Sequence, residues 1–238
     1  MVRKHIEDSA RSELQGIRLR DEMARVPRDQ ADIPTPVRIP SHHLKHSSRA
    51  SKIFPDRESY TLPAVQLPDG TYIMDSWDIA QELEKQYPSP SLHLDSPLRD
   101  RYNELLNPSF AALRPEVIRY VPEALLNEAS LEHWEVTRTP RIGMPLPQYV
   151  AEQGGPQAYK KAAPYLQQIT ALLKENDAGV FFEGETISFV DFIHAGFLIM
   201  FRRYGRDSFD QLLEATGDPE LHLKFLEALK PWIERDDH

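Results

Sequence analysis

From Tyr60 onward the hydrophobic positions first alternate and then wind. Thr61-Leu-Pro-Ala-Val-Gln-Leu67 reads as a short strand and Thr71-Tyr-Ile-Met74 as its return. Between them Pro68-Asp69-Gly70 is a turn, in which Pro presets φ and Gly tolerates a positive one. Asp75-Ser76 then opens a helix, either side chain being able to cap free backbone N–H groups. Ile79, Ala80, Leu83 and Tyr87 recur at helical spacing until Pro88 and Pro90 end the run. The pattern predicts strand, hairpin, strand, helix.

After Pro97 every apolar periodicity is helical. Leu98 to Leu113 forms one segment interrupted at Pro108, and Glu116 to Leu126 continues it, with Pro115 well placed at a helix start and Pro122 as a kink. Pro140 to Pro147 reads as a loop. Gly154-Gly155-Pro156 breaks the chain before a helix from Gln157 to Lys174, which turns Tyr165, Ile169, Leu172 and Leu173 inward and closes at Asn176-Asp177-Ala178-Gly179. Ser188 to Tyr204 is the most apolar helix, and Leu221 to Trp232 is the last substantial one. There is no internal repeat or heptad array. Residues 1–55 differ in kind. Arg11 to Val26 offers one helix with an irregular apolar side at Leu14, Ile17 and Leu19. From Pro27 on, closely spaced prolines and a polar tract argue against packed structure, and no βαβ pattern is visible.

Composition narrows the classes. The 238 residues are 40% hydrophobic, which suits a globular protein with a real core. No stretch approaches the roughly 20 apolar residues of a membrane span, and the opening residues lack the apolar segment of a secretory signal. The absence of cysteine removes disulfides, thiolate metal sites and cysteine nucleophiles. A cytoplasmic location with no membrane partner is the expectation. The net charge of −9 is uneven: residues 1–55 carry 11 Lys and Arg against 7 Asp and Glu, and the remainder is strongly acidic. Interspersed charge of that kind is a poor footprint for nucleic acid, which is not an expected partner. His42, His43 and His46 have metal-pair spacing if helical, but flanking Ser and Pro and the missing carboxylate favour a solvated basic tract, so no metal is assigned. His194, among Phe192, Ile193 and Phe197, reads as a hydrogen-bonded core or cleft histidine rather than a base.

Three stretches carry a resemblance. In the first, Tyr60-Thr-Leu-Pro-Ala-Val, Pro-Asp-Gly and Met-Asp-Ser-Trp-Asp-Ile-Ala-Gln-Glu-Leu-Glu follow one another in about 30 residues. The segment resembles the glutathione-recognition half of the glutathione S-transferase superfamily. Read on its own chemistry, the same segment also fits a plain ββα unit with Pro63 trans at an edge and Ser76 a simple cap. The resemblance implies a cis Leu62-Pro63 peptide presenting its N–H and C=O to the glutathione backbone. It also implies that Asp75 and Ser76 bind the γ-glutamyl end, where helix N-terminal N–H groups and a hydroxyl receive the carboxylate and Asp attracts the ammonium. The second stretch is Glu185-Thr-Ile-Ser-Phe-Val-Asp-Phe. Ser188 and Asp191 have capping-box spacing, and Ile187 and Phe192 sit where a hydrophobic staple would. It resembles the folding motif of the family's helical domain and speaks for stability rather than activity. The third, Arg138-Thr-Pro-Arg-Ile-Gly-Met-Pro-Leu with Glu-Gln-Gly-Gly, looks like fungal glutathione transferase-like proteins related to bacterial β-aryl etherases, several of which belong to toxin and pigment biosynthesis.

The implied fold is α+β: a partial or remodelled thioredoxin-like portion followed by an all-α glutathione transferase C-terminal domain. The expected division is an atypical stretch over 1–55, the remaining glutathione-site half over 56–92, and the helical domain over 97–238. The resemblance implies glutathione as cosubstrate, a small hydrophobic acceptor that is electrophilic or an aryl ether, and a homodimer. Arg114, Arg119 and Tyr120 are candidates for the acceptor cleft, with exposed charges beside a kink as the alternative. The family's thiol-activating residue belongs to a βαβ unit that residues 1–55 do not show. Ser9 and Ser12 lie in charged sequence, so no catalytic residue is assigned. The rival class is a non-catalytic ligand-holding or protein-interaction module.

Overall fold

The computed structural model describes residues 63–67 and 70–233. Leu62, the histidines at 42, 43 and 46, and everything else read from residues 1–62 lie outside the described residues. The described chain falls into two compact units, the first ending at Leu94 and the second running from Asp95.

The first unit is the predicted ββα succession. β1 (Ala64–Gln66) and β2 (Tyr72–Met74) pair antiparallel, Ala64 against Met74, Val65 against Ile73 and Gln66 against Tyr72. The connection closes with Gly70 N–H donating to the Leu67 carbonyl at 2.9 Å and Leu67 N–H to the Thr71 carbonyl at 2.8 Å, Gly70 taking φ 85°. Helix α1 (Ser76–Gln86) lays Ile79 and Leu83 against Val65, Ile73 and Tyr87, which is the unit's small core. Beyond the helix, the Glu84 carboxylate accepts from the Ser91 hydroxyl at 2.6 Å and Leu92 N–H at 2.8 Å, holding the following loop.

The second unit is all helical: α2 (Leu98–Ala124), α3 (Glu128–Ile142), α4 (Leu146–Gln153), α5 (Pro156–Leu173), α6 (Phe189–Arg203), α7 (Arg206–Thr216), α8 (Pro219–Ala228) and the short α9 (Lys230–Ile233). The main packing joins α2 to α5, with α5 also on α7 and α6 on α7. Tyr102, Leu113, Leu166, Ile169, Phe182, Leu198, Phe201, Leu212, Phe225 and Leu229 fill the core completely buried.

Several boundaries differ from the sequence pattern. The interruption expected at Pro108 and the helix start expected at Pro115 are absent, and α2 is one continuous helix with Pro108, Pro115 and Pro122 all inside it. Each proline removes one N–H donor. Seven-residue spacing puts all three on nearly one strip, and burial of Tyr102, Leu113, Ile118 and Val121 holds the helix together regardless. The loop expected over Pro140–Pro147 shrinks to a few residues: Pro140 lies inside the last turn of α3, Gly143 takes φ 83° as its C-cap, and Pro147 sits in the first turn of α4, where a missing N–H costs nothing. Tyr165, expected inward, is 37% exposed, while Ile169, Leu172 and Leu173 are buried as the spacing requires. The last long helix starts at Pro219 behind an Asp218 cap and ends at Ala228. Among the described residues no helix is long and apolar enough to cross a membrane.

Candidate functional site

The described residues display most of the sequence-predicted ligand site, at the junction of β2 and α1. Asp75 is the N-cap of α1, and its Oδ1 accepts Trp77 N–H at 2.9 Å. Its carbonyl accepts Ile79 N–H at 3.0 Å, the first bond of the helix. The backbone of Asp75 stands at φ 79° and ψ 126°, a region that side chains other than glycine rarely enter and that costs of the order of 1–3 kcal/mol. Ser76, the first helical residue, is exposed. The helix start therefore offers an exposed hydroxyl, outward-facing amides at the positive end of the helix dipole, and the second oxygen of Asp75. That set suits a ligand with a carboxylate and an ammonium on one carbon. Pro63 is half-buried and leads directly into β1. The Leu62 half of the proposed backbone contact lies outside the described residues.

In the helical unit, Arg119 and Tyr120 come together and Arg114 does not. Arg114 is exposed, with no hydrogen bond or ion pair among the described residues. Arg119 Nε lies 3.9 Å from Glu116 Oε2, and its guanidinium stands 5.8 Å from the centre of the Tyr120 ring. Glu116 is only 1% exposed, and its Oε1 accepts Gly155 N–H at 2.5 Å. The carboxylate thus caps the N-terminus of α5 from another helix, with the helix dipole in its favour. A β-carbon at Gly154 would meet the Val150 carbonyl at 2.7 Å, Glu116 Oε1 at 2.8 Å and the Arg119 guanidinium at 3.0 Å, so this close approach requires glycine. Tyr120 stacks on Tyr204, centroids 5.6 Å apart and planes 19° from parallel. The Tyr159 hydroxyl is 2.9 Å from Ser208 Oγ, and the Tyr204 hydroxyl is buried without a partner. Burial pushes both phenols well above the ordinary tyrosine range, so near neutral pH they keep their protons and do not serve as bases.

The predicted capping box is formed at the start of α6. Asp191 accepts Ser188 N–H at 2.8 Å, the Ser188 hydroxyl at 2.6 Å and Phe182 N–H at 3.0 Å. Ile187 and Phe192 are both buried beside it. Burial pushes the Asp191 carboxyl up to about 6 in spite of these bonds, so it is still charged at neutral pH. His194 is a hydrogen-bonded core histidine, linked to Tyr102 and His222.

Sequence reasoning missed Glu116, Tyr159, Tyr204, Thr170 and His222. For Glu116 a signal existed: a glycine pair opening a helix needs something to satisfy its free N–H groups, and a carboxylate is the usual answer. His222 and Thr170, 52 residues apart, gave none.

Residues 98–232 match the family described as glutathione S-transferase, C-terminal domain. A comparison with curated protein sequences finds no match. Among solved structures, the chain is similar to glutathione transferase GSTFuA3 from Phanerochaete chrysosporium, with a TM-score of 0.60, 23% identity, and coverage of 78% of this chain and 75% of that one. GSTFuA2 of the same organism gives 0.62, 21%, and 76% against 74%. The glutathione S-transferase CsGST83044 of Ceriporiopsis subvermispora, solved in complex with glutathione, gives 0.57, 20%, and 88% against 81%. At these identities the likeness speaks for the fold.

Proposed function

As the chain belongs to the glutathione S-transferase family by its C-terminal domain, we propose that it binds glutathione at the start of α1 and transfers it to a small electrophilic or aryl-ether compound, of the kind met in secondary metabolism. The observation that carries this reading is the backbone of Asp75: a non-glycine residue held at φ 79° on a strand-to-helix junction, capping Trp77 N–H beside an exposed Ser76. Strain of that kind is retained where the surrounding structure needs a residue aimed in one direction. Here the γ-glutamyl carboxylate sits on the Ser76 hydroxyl and the first free amides, and its ammonium on the outer oxygen of Asp75. Leu62 and Pro63 supply the matching backbone contact. Support for glutathione as the ligand comes from the family and from the solved relative that carries it. Arg114, Arg119 and Tyr120, all on α2 of the helical unit, are the residues assigned to the acceptor.

The test is isothermal titration of the full chain with glutathione, beside a conjugation assay with an electron-poor aryl halide. Asp75→Ala combined with Ser76→Ala removes charge-assisted hydrogen bonds of about 1.5–3 kcal/mol each and should weaken binding about a hundredfold or more. Slow turnover is expected of the unaltered chain, since no residue of this sequence is identifiable as the family's thiol activator and a free thiol is only partly ionised at neutral pH. Fast turnover would overturn that second statement. A chain that folds and binds no glutathione would overturn the first and leave a ligand-holding or interaction module.

A further inference from the structure

The core of the helical unit contains a hydrogen-bonded chain with no part in the proposed reaction. The Tyr102 hydroxyl on α2 lies 2.9 Å from His194 Nδ1 on α6. His194 Nε2 lies 3.0 Å from His222 Nδ1 on α8, and His222 Nε2 lies 2.9 Å from Thr170 Oγ1 on α5. Thr170 Oγ1 in turn lies 2.9 Å from the Thr216 carbonyl, at the end of α7, and 3.1 Å from the Leu166 carbonyl. All four side chains are buried, and the Phe182 and Phe225 rings pack on His194. Water does not reach the chain to exchange its bonds.

Counting protons fixes the direction of every link. Carbonyls only accept, so the Thr170 hydroxyl points at one of its two carbonyls, and its oxygen receives His222 Nε2–H. A neutral imidazole with its proton on Nε2 accepts at Nδ1. His222 Nδ1 therefore takes His194 Nε2–H, and His194 Nδ1 takes the Tyr102 proton. Each link holds one proton, and both histidines are Nε2–H tautomers. A further proton on either ring sets two ring N–H groups against each other or turns the Tyr102 oxygen into an acceptor and leaves the phenol hydrogen without its partner, inside a sealed core.

We propose that this chain is an acid-released latch, holding α2, α5, α6 and α8 together while both imidazoles are neutral and opening the helical unit when either takes a proton. The groups facing it do not relieve the added charge. From α2 comes the Tyr102 phenol, kept protonated by burial and by the Asp191 charge on α6. From the end of α5 comes Lys174 and from the start of α8 Asp218, paired at 2.6 Å, which act on His222 in opposite senses. Burial dominates. It pushes His222 down to about 4, and it pushes His194 well below the ordinary range, with the His222 charge adding to the effect. Both histidines are thus depressed in the folded chain and ordinary in the unfolded one, so the unfolded chain binds more protons and stability is lost as pH falls below about 6.5. Asp191, pushed up to about 6, has the opposite sign and offsets one proton of the two. The folded-to-unfolded ratio should therefore fall about tenfold per pH unit from pH 6 to 5, one net proton being taken up.

The experiment is a pH titration of the full chain carrying ¹⁵N-labelled histidine, followed by imidazole NMR and near-ultraviolet circular dichroism. Two of the nine histidines should show the Nε2–H tautomer and remain neutral where the others charge, then charge together as the aromatic signal collapses. Urea unfolding of His222→Gln between pH 7 and 5 should lose about tenfold per pH unit of the acid dependence seen in the unaltered chain. Either imidazole titrating in the ordinary range with the aromatic signal intact overturns the latch. So does a His222→Gln variant that folds and keeps the full acid dependence. If the variant does not fold, the titration of the unaltered chain decides alone.

Discussion

Asp75 and Asp191 both stand at the start of a helix beside a serine, and the molecule treats them in opposite ways. At α1, Asp75 spends one oxygen on Trp77 N–H in a strained backbone, and Ser76 faces solvent. At α6, Asp191 is fully buried and takes both polar hydrogens of Ser188 and the amide of Phe182. The difference lies in what covers the helix end. The segment Phe181–Gly184 folds back on itself and delivers the Phe182 amide to Asp191, which seals the start of α6. Nothing comparable is built over α1 among the described residues. Free N–H groups at a helix start have to be satisfied by the chain itself or by a ligand. The sealed start contributes stability, and the open one is left to bind.

Substitution at the sealed start gives the largest expected effect. Asp191→Ala leaves the Ser188 and Phe182 amides and the Ser188 hydroxyl buried without an acceptor, and should destabilise the helical unit by roughly 3–5 kcal/mol. Urea unfolding at pH 7 measures it. Glutathione affinity, read under conditions where the variant is still folded, should stay within about twofold of the unaltered chain, since Asp191 does not belong to the α1 start. A large loss of affinity in folded protein would break the division between the two helix starts.

A third helix start sharpens the same contrast. The α5 terminus is sealed by Glu116, and Gly154 makes room for it. Gly154 has φ −87°, which any residue adopts, so a substitution there tests space and not backbone strain. Gly154→Ala should cost roughly 1–3 kcal/mol by forcing the Glu116 carboxylate off Gly155 N–H. Thermal unfolding gives the number. An unchanged transition would mean that Glu116 does not seal that end.

These contrasts were legible in the sequence only where the deciding residues are neighbours. Asp75-Ser76 after a strand, and Ser188 three residues before Asp191 with Ile187 and Phe192 around them, are local patterns, and the structure forms both. The most apolar run became α6, and Ile79 and Leu83 became the core of the first unit. What the sequence hid depends on partners far along the chain. Three prolines read one by one break α2; only the buried face running past them keeps it whole. Glycine and proline made Pro140–Pro147 look like a loop, although Pro147 is placed where a helix accepts it. The strain at Asp75 was not readable either, because aspartate carries no preference for φ 79° as strong as glycine's.

That strain supplies the smallest and most discriminating substitution, Asp75→Gly. Glycine adopts φ 79° freely, so the change should return part of the roughly 1–3 kcal/mol held in the backbone. The same change removes the side chain that caps Trp77 N–H, worth only a few tenths of a kcal/mol when glycine replaces an aspartate cap. Glycine also adds freedom to the unfolded chain, which costs about 0.4–1 kcal/mol. The three terms nearly cancel, and the melting transition should move by less than about 1 kcal/mol in either direction. Binding has no such compensation. The Asp75 carboxylate is gone and with it the attraction for an ammonium, about 1.5–3 kcal/mol, or roughly ten- to a hundredfold in affinity for glutathione. Titration calorimetry and thermal unfolding on one preparation separate the two quantities. Equal losses in both would make Asp75 a structural cap and α1 a sealed start like α6. Loss of affinity at constant stability is the signature of a helix end kept strained and open for its ligand.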